Sequence, residues 1–255
     1  MTLPLGWRTD LAVLRAGGSE LEDHGDHLVV RTPANPTYHW GHFVLVTDPA
    51  RVDEAEHWRG VFARTFPDAA HLAVGLAAQP EVSAWKGTAV EASDVLVADG
   101  ELRIRPLPAG YSVRALRTDA DWAASTALNL EHYPGEPEFA RLRSQARARM
   151  VEAGDLAWFG VFTSADQLVS ELGIIEVDGS TARYQSVLTH TEHRRRGLTG
   201  HLLGVAAAHA RRTGPRDLVI MADVDGDAGR LYREAGFRHA ETVWQAYAPL
   251  SSSIA

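Results

Sequence analysis

The stretch 187–203, VLTHTEHRRRGLTGHLL, constrains the fold of this chain more than any other. It begins as an extended, half-polar segment, meets three consecutive arginines and a glycine, and continues as a helical pattern. Leu198, Leu202, Val205 and Ala206 recur there at three- and four-residue spacings, which predicts an amphipathic helix after Gly197. A strand that turns sharply into a helix leaves the first backbone N–H groups of the helix without intrahelical partners, at the positive end of the helix dipole. Such an end suits an anion, and Arg194, Arg195 and Arg196 add forked donors matched to phosphate oxygens. Standing alone, the arginine cluster would read as a solvated turn; the residues C-terminal to it overturn that reading.

The 255 residues suffice for one large core or two modest ones, and 45% apolar with 23% charged residues is the composition of an ordinary globular protein. No apolar run is long enough to span a bilayer, and the first residues lack the basic and apolar regions of a secretory signal, so the expectation is a cytoplasmic protein with no membrane partner. The absence of cysteine excludes disulfides, thiolate metal sites and a thiol nucleophile. A net charge of −8 repels a phosphate backbone, so no nucleic acid partner is expected. The 12 histidines show neither the i, i+4 spacing nor the carboxylate pattern of a metal site, and no metal is expected.

The first half, residues 1–110, reads as an α+β domain. A helix is predicted around Leu11 and Leu14, strands at 27–31, 38–46, 71–77, 82–89 and 92–97, a helix at 53–66 stopped by Pro67, and an edge strand at 102–107. Tyr38 and Trp40, among His39 and His42, read either as a ligand wall that completes an acceptor cleft or as core residues with the histidines turned to water.

The second half, 111–251, begins after the Pro108-Ala109-Gly110 boundary signal. A strand at 111–117, helices at 121–130 and 138–151, and strands at 156–162, 167–177 and 182–189 precede the arginine loop and its helix. A strand at 217–222, a short helix at 227–235 and final strands complete a mixed sheet flanked by helices. In the helix at 138–151, Phe139, Leu142 and Met150 are the candidate core positions, while Arg141, Arg143, Gln145, Arg147 and Arg149 are expected toward solvent.

Two motifs in this order carry a resemblance. Arg194 and Gly197 stand where the GCN5-related N-acetyltransferase superfamily has the first and fourth positions of its pyrophosphate-binding motif, with Thr199 where Gly or Ala is usual and Gly200 one place later. After the next strand, Asp225 takes the place of a usual asparagine and is followed by Ala228, Leu231, Tyr232, Gly236 and Phe237 at the superfamily's spacing. The chain is similar to that superfamily through essentially all of its second half. The resemblance implies an acyl-coenzyme A N-acyltransferase fold there, with the first half an accessory domain or a degenerate second copy.

It also implies acetyl-coenzyme A as the cofactor and transfer of its acetyl group to a small amine or a protein N-terminus by direct attack. A larger acyl group, a hydroxyl acceptor, or a non-catalytic coenzyme A-binding protein are the alternatives. By the same resemblance, Arg194, Arg195, Arg196, Gly197, Leu198, Thr199 and Gly200 would hold the pyrophosphate. Val187, Leu188 and Thr189 would line the pantetheine arm in a splay between two parallel strands, beside Asp225 and Ala228. Tyr232 would protonate the departing thiolate.

The proton acceptor is open among Glu171, Glu176 and His190; alternation places the two glutamates on opposite faces of their strand. Glu131, His132 and Tyr133 lie in the loop that walls the acceptor in this superfamily, and read as acceptor ligands or as solvated loop. The seven tryptophans point to apolar surface buried in cores, between domains or between subunits, so a homo-oligomer is one reading.

Overall fold

The computed structural model describes residues 3–132, 134–215 and 217–249. The chain forms two compact units: residues up to Asp94 together with those from Glu241 onward, and Val95–Ala240. No helix among the described residues is long and apolar enough to cross a membrane.

In the first unit α1 (Leu5–Ala16) leads into the antiparallel strands β1 (Glu20–Asp23), β2 (His27–Arg31) and β3 (Phe43–Val46). Helix α2 (Ala55–Thr65) then returns the chain to β4 (His71–Leu76), parallel to β3. β3 and β4 are buried along their whole length, in keeping with the apolar runs at 43–46 and 72–76. Indole N–H groups need acceptors when buried: Trp7 donates to the carbonyl of Leu76, Trp58 to Arg51 and Trp85 to Val52. Trp7, Trp58, Trp85, Trp122 and Trp158 are all buried in the cores of their own units. The strand predicted at 38–46 is shorter than expected. His39–Gly41 forms a single 3-10 turn, where Thr32 Oγ1 donates to the carbonyl of Gly41 and leaves no room for a Cβ there.

The second unit contains β6 (Tyr111–Ala115), α3 (Asp119–His132), α4 (Pro137–Ala153), β7 (Leu156–Thr163), β8 (Leu168–Asp178), β9 (Thr181–Thr189), α5 (Leu198–Thr213), β10 (Asp217–Asp223) and α6 (Asp227–Ala235). β6, β7, β8 and β9 are antiparallel neighbours, and β10 joins β9 in parallel. Alternation along β8 and β9 sorts the two faces of the sheet. Leu172, Ile174 and Tyr184 pack with Leu198, Leu202 and Leu203 of α5. Glu171 instead meets Asn129 of α3 and Arg147 of α4. Helix α5 therefore covers one face and the α3–α4 pair the other.

Two expectations of chain organisation change. The division does not fall at Gly110. It falls within β5 (Ala89–Ala98) and within β11 (Arg238–Pro249). Leu96, Ala98 and Leu102 belong to the core of the second unit, while β11 pairs antiparallel with β4 from Trp244↔Leu76 to Pro249↔His71 and completes the sheet of the first. The first unit thus takes its last strand from the far end of the chain, while the second is one continuous segment. Residues 102–107 are irregular rather than an edge strand. Pro106 has no N–H to give a ladder, and Arg103 is spent on α6, its N–H donating to Ala235 O and its Nε to Glu234 O.

Helix α3, which brings Asn129 to the site, starts at a reciprocal cap. Thr118 Oγ1 accepts from the N–H of Asp121, and the Asp121 carboxylate accepts from the N–H groups of Thr118 and Arg117. Burial raises the pKa of Asp121, but those two N–H groups and the Arg114 guanidinium outweigh it and hold the carboxyl at about 2, below its ordinary 3.8. The folded value lies below the unfolded one, so the stabilisation is complete above pH 3.8 and is lost as the pH falls from there through about 2. Asp121→Asn is expected to cost about 2 kcal/mol at pH 7. In urea melts the difference from the parent protein is expected to shrink across that acid window; a difference independent of pH would refute the assignment.

Candidate active site

The parallel ladder between β9 and β10 stops at Arg183↔Val219. On its other side β9 slips against β8: Glu171 opposes Leu188 and Gly173 opposes Gln185, so Ser186 and Val187 together face Leu172. That is a β-bulge, and Ser186 sits in it with a left-handed φ of 48°. Beyond the bulge the two strands part, and a cavity of about 360 Å³ opens between them. Val187 and Leu188 form one wall, Met221, Ala222 and Asp223 the opposite one, and Ala228 and Tyr232 close it from α6. Asn129 and Arg143 reach it from α3 and α4, and Arg183, Tyr184 and Gln185 complete the β9 side.

A few residues further along the same strand the chain turns into the arginine loop. One 3-10 turn (Thr191–His193) precedes Arg194, and the loop reaches α5 through two left-handed residues, Arg195 at φ 59° and Gly197 at φ 80°. Gly197 has space around it, with only the Arg105 side chain within 4 Å of a built Cβ; it is the backbone angle that calls for glycine. His201 is the first residue of the helix to bond back, to Gly197 O, so the N–H groups of Leu198, Thr199 and Gly200 have no intrahelical acceptor. The side chain of Leu198 is buried in the core, and Gly200 is buried as well.

The three arginines divide their work. Arg194 donates to Thr189 O (3.3 Å) and to His132 Nε2 (2.8 Å), while His132 Nδ1 lies 3.4 Å from Leu128 O. Arg196 donates to the Tyr111 hydroxyl and to Glu192 O. Arg195 is exposed and has no polar partner among the described residues. Both departures from the motif have local reasons. Thr199 turns its hydroxyl onto Thr189 (2.9 Å), which in turn meets Ser170 Oγ (2.7 Å), so the branched side chain faces the sheet. Asp225 has φ 64°, a conformation in which a short polar residue is tolerated, and it does not line the cavity.

Tyr232 is 4% exposed and lines the cavity, its ring packed 6.2 Å from that of Phe237. Burial pushes its pKa up; Arg183 opposes this and Asp223 adds to it. Its hydroxyl has no hydrogen-bond partner among the described residues.

None of the three candidate proton acceptors lines the cavity. Glu171 is fully buried, accepting from Asn129 Nδ2 (2.8 Å) and Trp158 Nε1 (3.1 Å) with Arg147 3.9 Å away. Burial raises its pKa against the pull of Arg147 and these donors. Trp158 reaches Glu171 by lying flat over Gly173, where a Cβ would sit 2.3 Å from the indole. Glu176 is exposed and five residues further along β8, roughly 17 Å away. His190 accepts from the N–H of Glu192 at Nδ1 (3.2 Å), which leaves Nε2 to donate to Glu131 (3.1 Å). Glu131 and His132 are thus drawn to the strand end and the arginine loop. Tyr133 lies outside the described residues. Tyr38 and Trp40 belong to the first unit, where Trp40 packs on Phe43 and Tyr247, and among the described residues the cavity lining comes from the second. Among the described residues no group of three His, Asp or Glu is gathered to hold a metal ion.

Sequence reasoning passed over Arg143, Arg147, Arg183 and Ser186. Two of the arginines expected toward solvent on α4 turn inward instead: Arg147 is 4% exposed, with its guanidinium 4.4 Å from the Trp158 ring, and both it and Arg143 donate to Ser186 Oγ. The available signal was their i, i+4 spacing, on one side of the helix with Ala140 and Ser144.

No family model matches the sequence, and no curated protein does. Solved structures do. The chain is similar to a GCN5-related N-acetyltransferase from Kribbella flavida, at 19% identity over 96% of this chain and 97% of that one, with a TM-score of 0.66. A putative GNAT-family acetyltransferase from Novosphingobium aromaticivorans covers 96% of each chain at 19% identity and a TM-score of 0.59. A tandem GNAT protein from the clavulanic acid biosynthesis pathway aligns with 97% of this chain and 89% of its own, at 16% identity and a TM-score of 0.59. The chain has the GNAT fold, and the likeness extends over both units.

Proposed function

We propose that the chain is an acyl-coenzyme A-dependent N-acyltransferase that moves the acetyl group of acetyl-coenzyme A to an amine with both reactants bound. The observation that carries this reading is that a helix start with three unpaired backbone N–H groups and a strand-splay cavity lie within one short stretch, 183–200. The N–H groups of Leu198, Thr199 and Gly200, with Arg194, Arg195 and Arg196, suit a diphosphate. Val187, Leu188 and Ala228 offer apolar side chains to a pantetheine arm, in a cavity whose lining is otherwise mostly polar. With Thr199 turned to the sheet and Asp225 in its turn, neither departure obstructs the loop.

Acetyl-coenzyme A supplies an activated thioester. Backbone donors on the unpaired edge of β9 near Leu188 polarise the carbonyl. The amine nitrogen attacks the carbonyl carbon, forming the C–N bond as the C–S bond breaks. Tyr232, held protonated by burial, gives its proton to the sulfur. The nitrogen sheds its surplus proton to water, and Tyr232 is reprotonated from solvent, so charge and protons balance. The acceptor is a small amine or a protein N-terminus.

Calorimetric titration tests the reading. Micromolar affinity for acetyl-coenzyme A and desulfo-coenzyme A, unmatched by ATP, is expected. No heat from acetyl-coenzyme A at millimolar concentration would overturn the assignment of the loop and of the function together.

A further inference from the structure

Where α3 and α4 meet β9, the cavity lining is sorted by hydrogen-bonding polarity. A hydroxyl has two lone pairs and one proton. Both lone pairs of Ser186 Oγ are occupied, by Arg143 Nη2 (3.0 Å) and Arg147 Nη2 (2.6 Å), so only its O–H remains to be offered. The opposite holds for Asn129. Its Nδ2 donates to Ser125 O and to Glu171 Oε1, both at 2.8 Å, which leaves Oδ1 as an acceptor only. Both residues line the cavity. Among the described residues, the charged residues of the lining are Arg143, Arg183 and Asp223, two cations to one anion, in a protein whose net charge is −8. Arg183 is 6% exposed, so its charge acts in a largely desolvated setting where it is worth far more than at a surface.

We infer that the reactant filling this end of the cavity carries a carboxylate, bound by Arg143, Arg183 and the Ser186 hydroxyl, with Asn129 Oδ1 accepting from the attacking amine. The inference rests on the N-acyltransferase reading and names its substrate class: an amine with a carboxylate a few bonds from the nitrogen, as in an amino acid. The same donors fit the distal carboxylate of a dicarboxylic acyl chain; Asn129 Oδ1 beside them favours the amine. Arg147 and Glu171 are positioning residues, one holding Ser186 and the other Asn129. The step is unchanged, the C–N bond forming as the C–S bond breaks, and the carboxylate keeps its charge throughout.

The full chain, saturated with desulfo-coenzyme A, is titrated calorimetrically with amino acids and with the amines left by their decarboxylation. Thiol release from acetyl-coenzyme A and from succinyl-coenzyme A is then measured with both sets. At least tenfold tighter binding and at least tenfold higher kcat/KM for the amino acids is expected. Arg143→Gln and, separately, Arg183→Gln are each expected to reduce that preference at least tenfold through KM. Melting temperature and desulfo-coenzyme A affinity report whether each variant is folded. A preference for succinyl-coenzyme A with decarboxylated amines would overturn the choice of the amine and place the same carboxylate on the acyl chain. Equal treatment of all pairs, with transfer still observed, overturns the inference and leaves the N-acyltransferase reading standing; absence of coenzyme A binding removes both.

Discussion

Gly197→Trp is expected to weaken acetyl-coenzyme A binding at least 100-fold, which corresponds to about 2.7 kcal/mol. The substitution acts twice on the loop. Gly197 has φ 80°, where an L-residue costs roughly 1–2 kcal/mol, and an indole at the helix start would occupy the space in front of the N–H groups of Leu198, Thr199 and Gly200. The built Cβ meets nothing closer than 3.7 Å, the flexible Arg105 side chain, so the fold is expected to survive with a melting temperature a few degrees lower. Calorimetry beside a thermal melt separates the two effects. Parent-like affinity in a folded variant would remove the pyrophosphate role from this loop.

Tyr232→Phe is expected to lower kcat about 100-fold, in the range of a lost general acid, with acetyl-coenzyme A affinity changed less than twofold. The ring contact with Phe237 is kept and only the hydroxyl is lost. Because burial raises the pKa of this phenol, the parent protein is expected to show no loss of rate from Tyr232 ionising as the pH rises through 10. Steady-state thiol release across pH reads both. A variant turning over like the parent would take the acid role from Tyr232, whereas an alkaline decline near pH 10 present only in the parent would keep that role and overturn the raised pKa.

What the sequence disclosed was local. The turn from β9 into α5 is written in three arginines, a glycine and the spacing of leucines, all within reach of one another along the chain. The same holds for Tyr232, placed by its distance from Gly236 and Phe237. What stayed hidden depends on register and partners far away. The bulge at Ser186 exists only because β8 and β9 pair with one residue more on β9, and no property of a serine announces that. Glu171 was visible as a strand residue, but its use in fixing Asn129 needs a partner 42 positions away. Arg143 and Arg147 looked like solvated charges because helix position alone does not say that the neighbouring sheet presents a serine and a buried carboxylate. The boundary at Gly110 was a sound local reading of proline and glycine, defeated by strands whose partners lie in the other half.

The return of the C-terminal strand to the first unit bears on how the protein is made. A ribosome releases the first unit's α1, β1, β2, β3, α2 and β4 long before residues 241–249, yet β11 is what covers the open edge of β4. Until those residues emerge, that edge presents unpaired backbone groups of the kind that can pair with another chain. The early part of the polypeptide waits for the late part, and a stop codon in place of Glu241 would leave the oldest portion of the molecule unfinished.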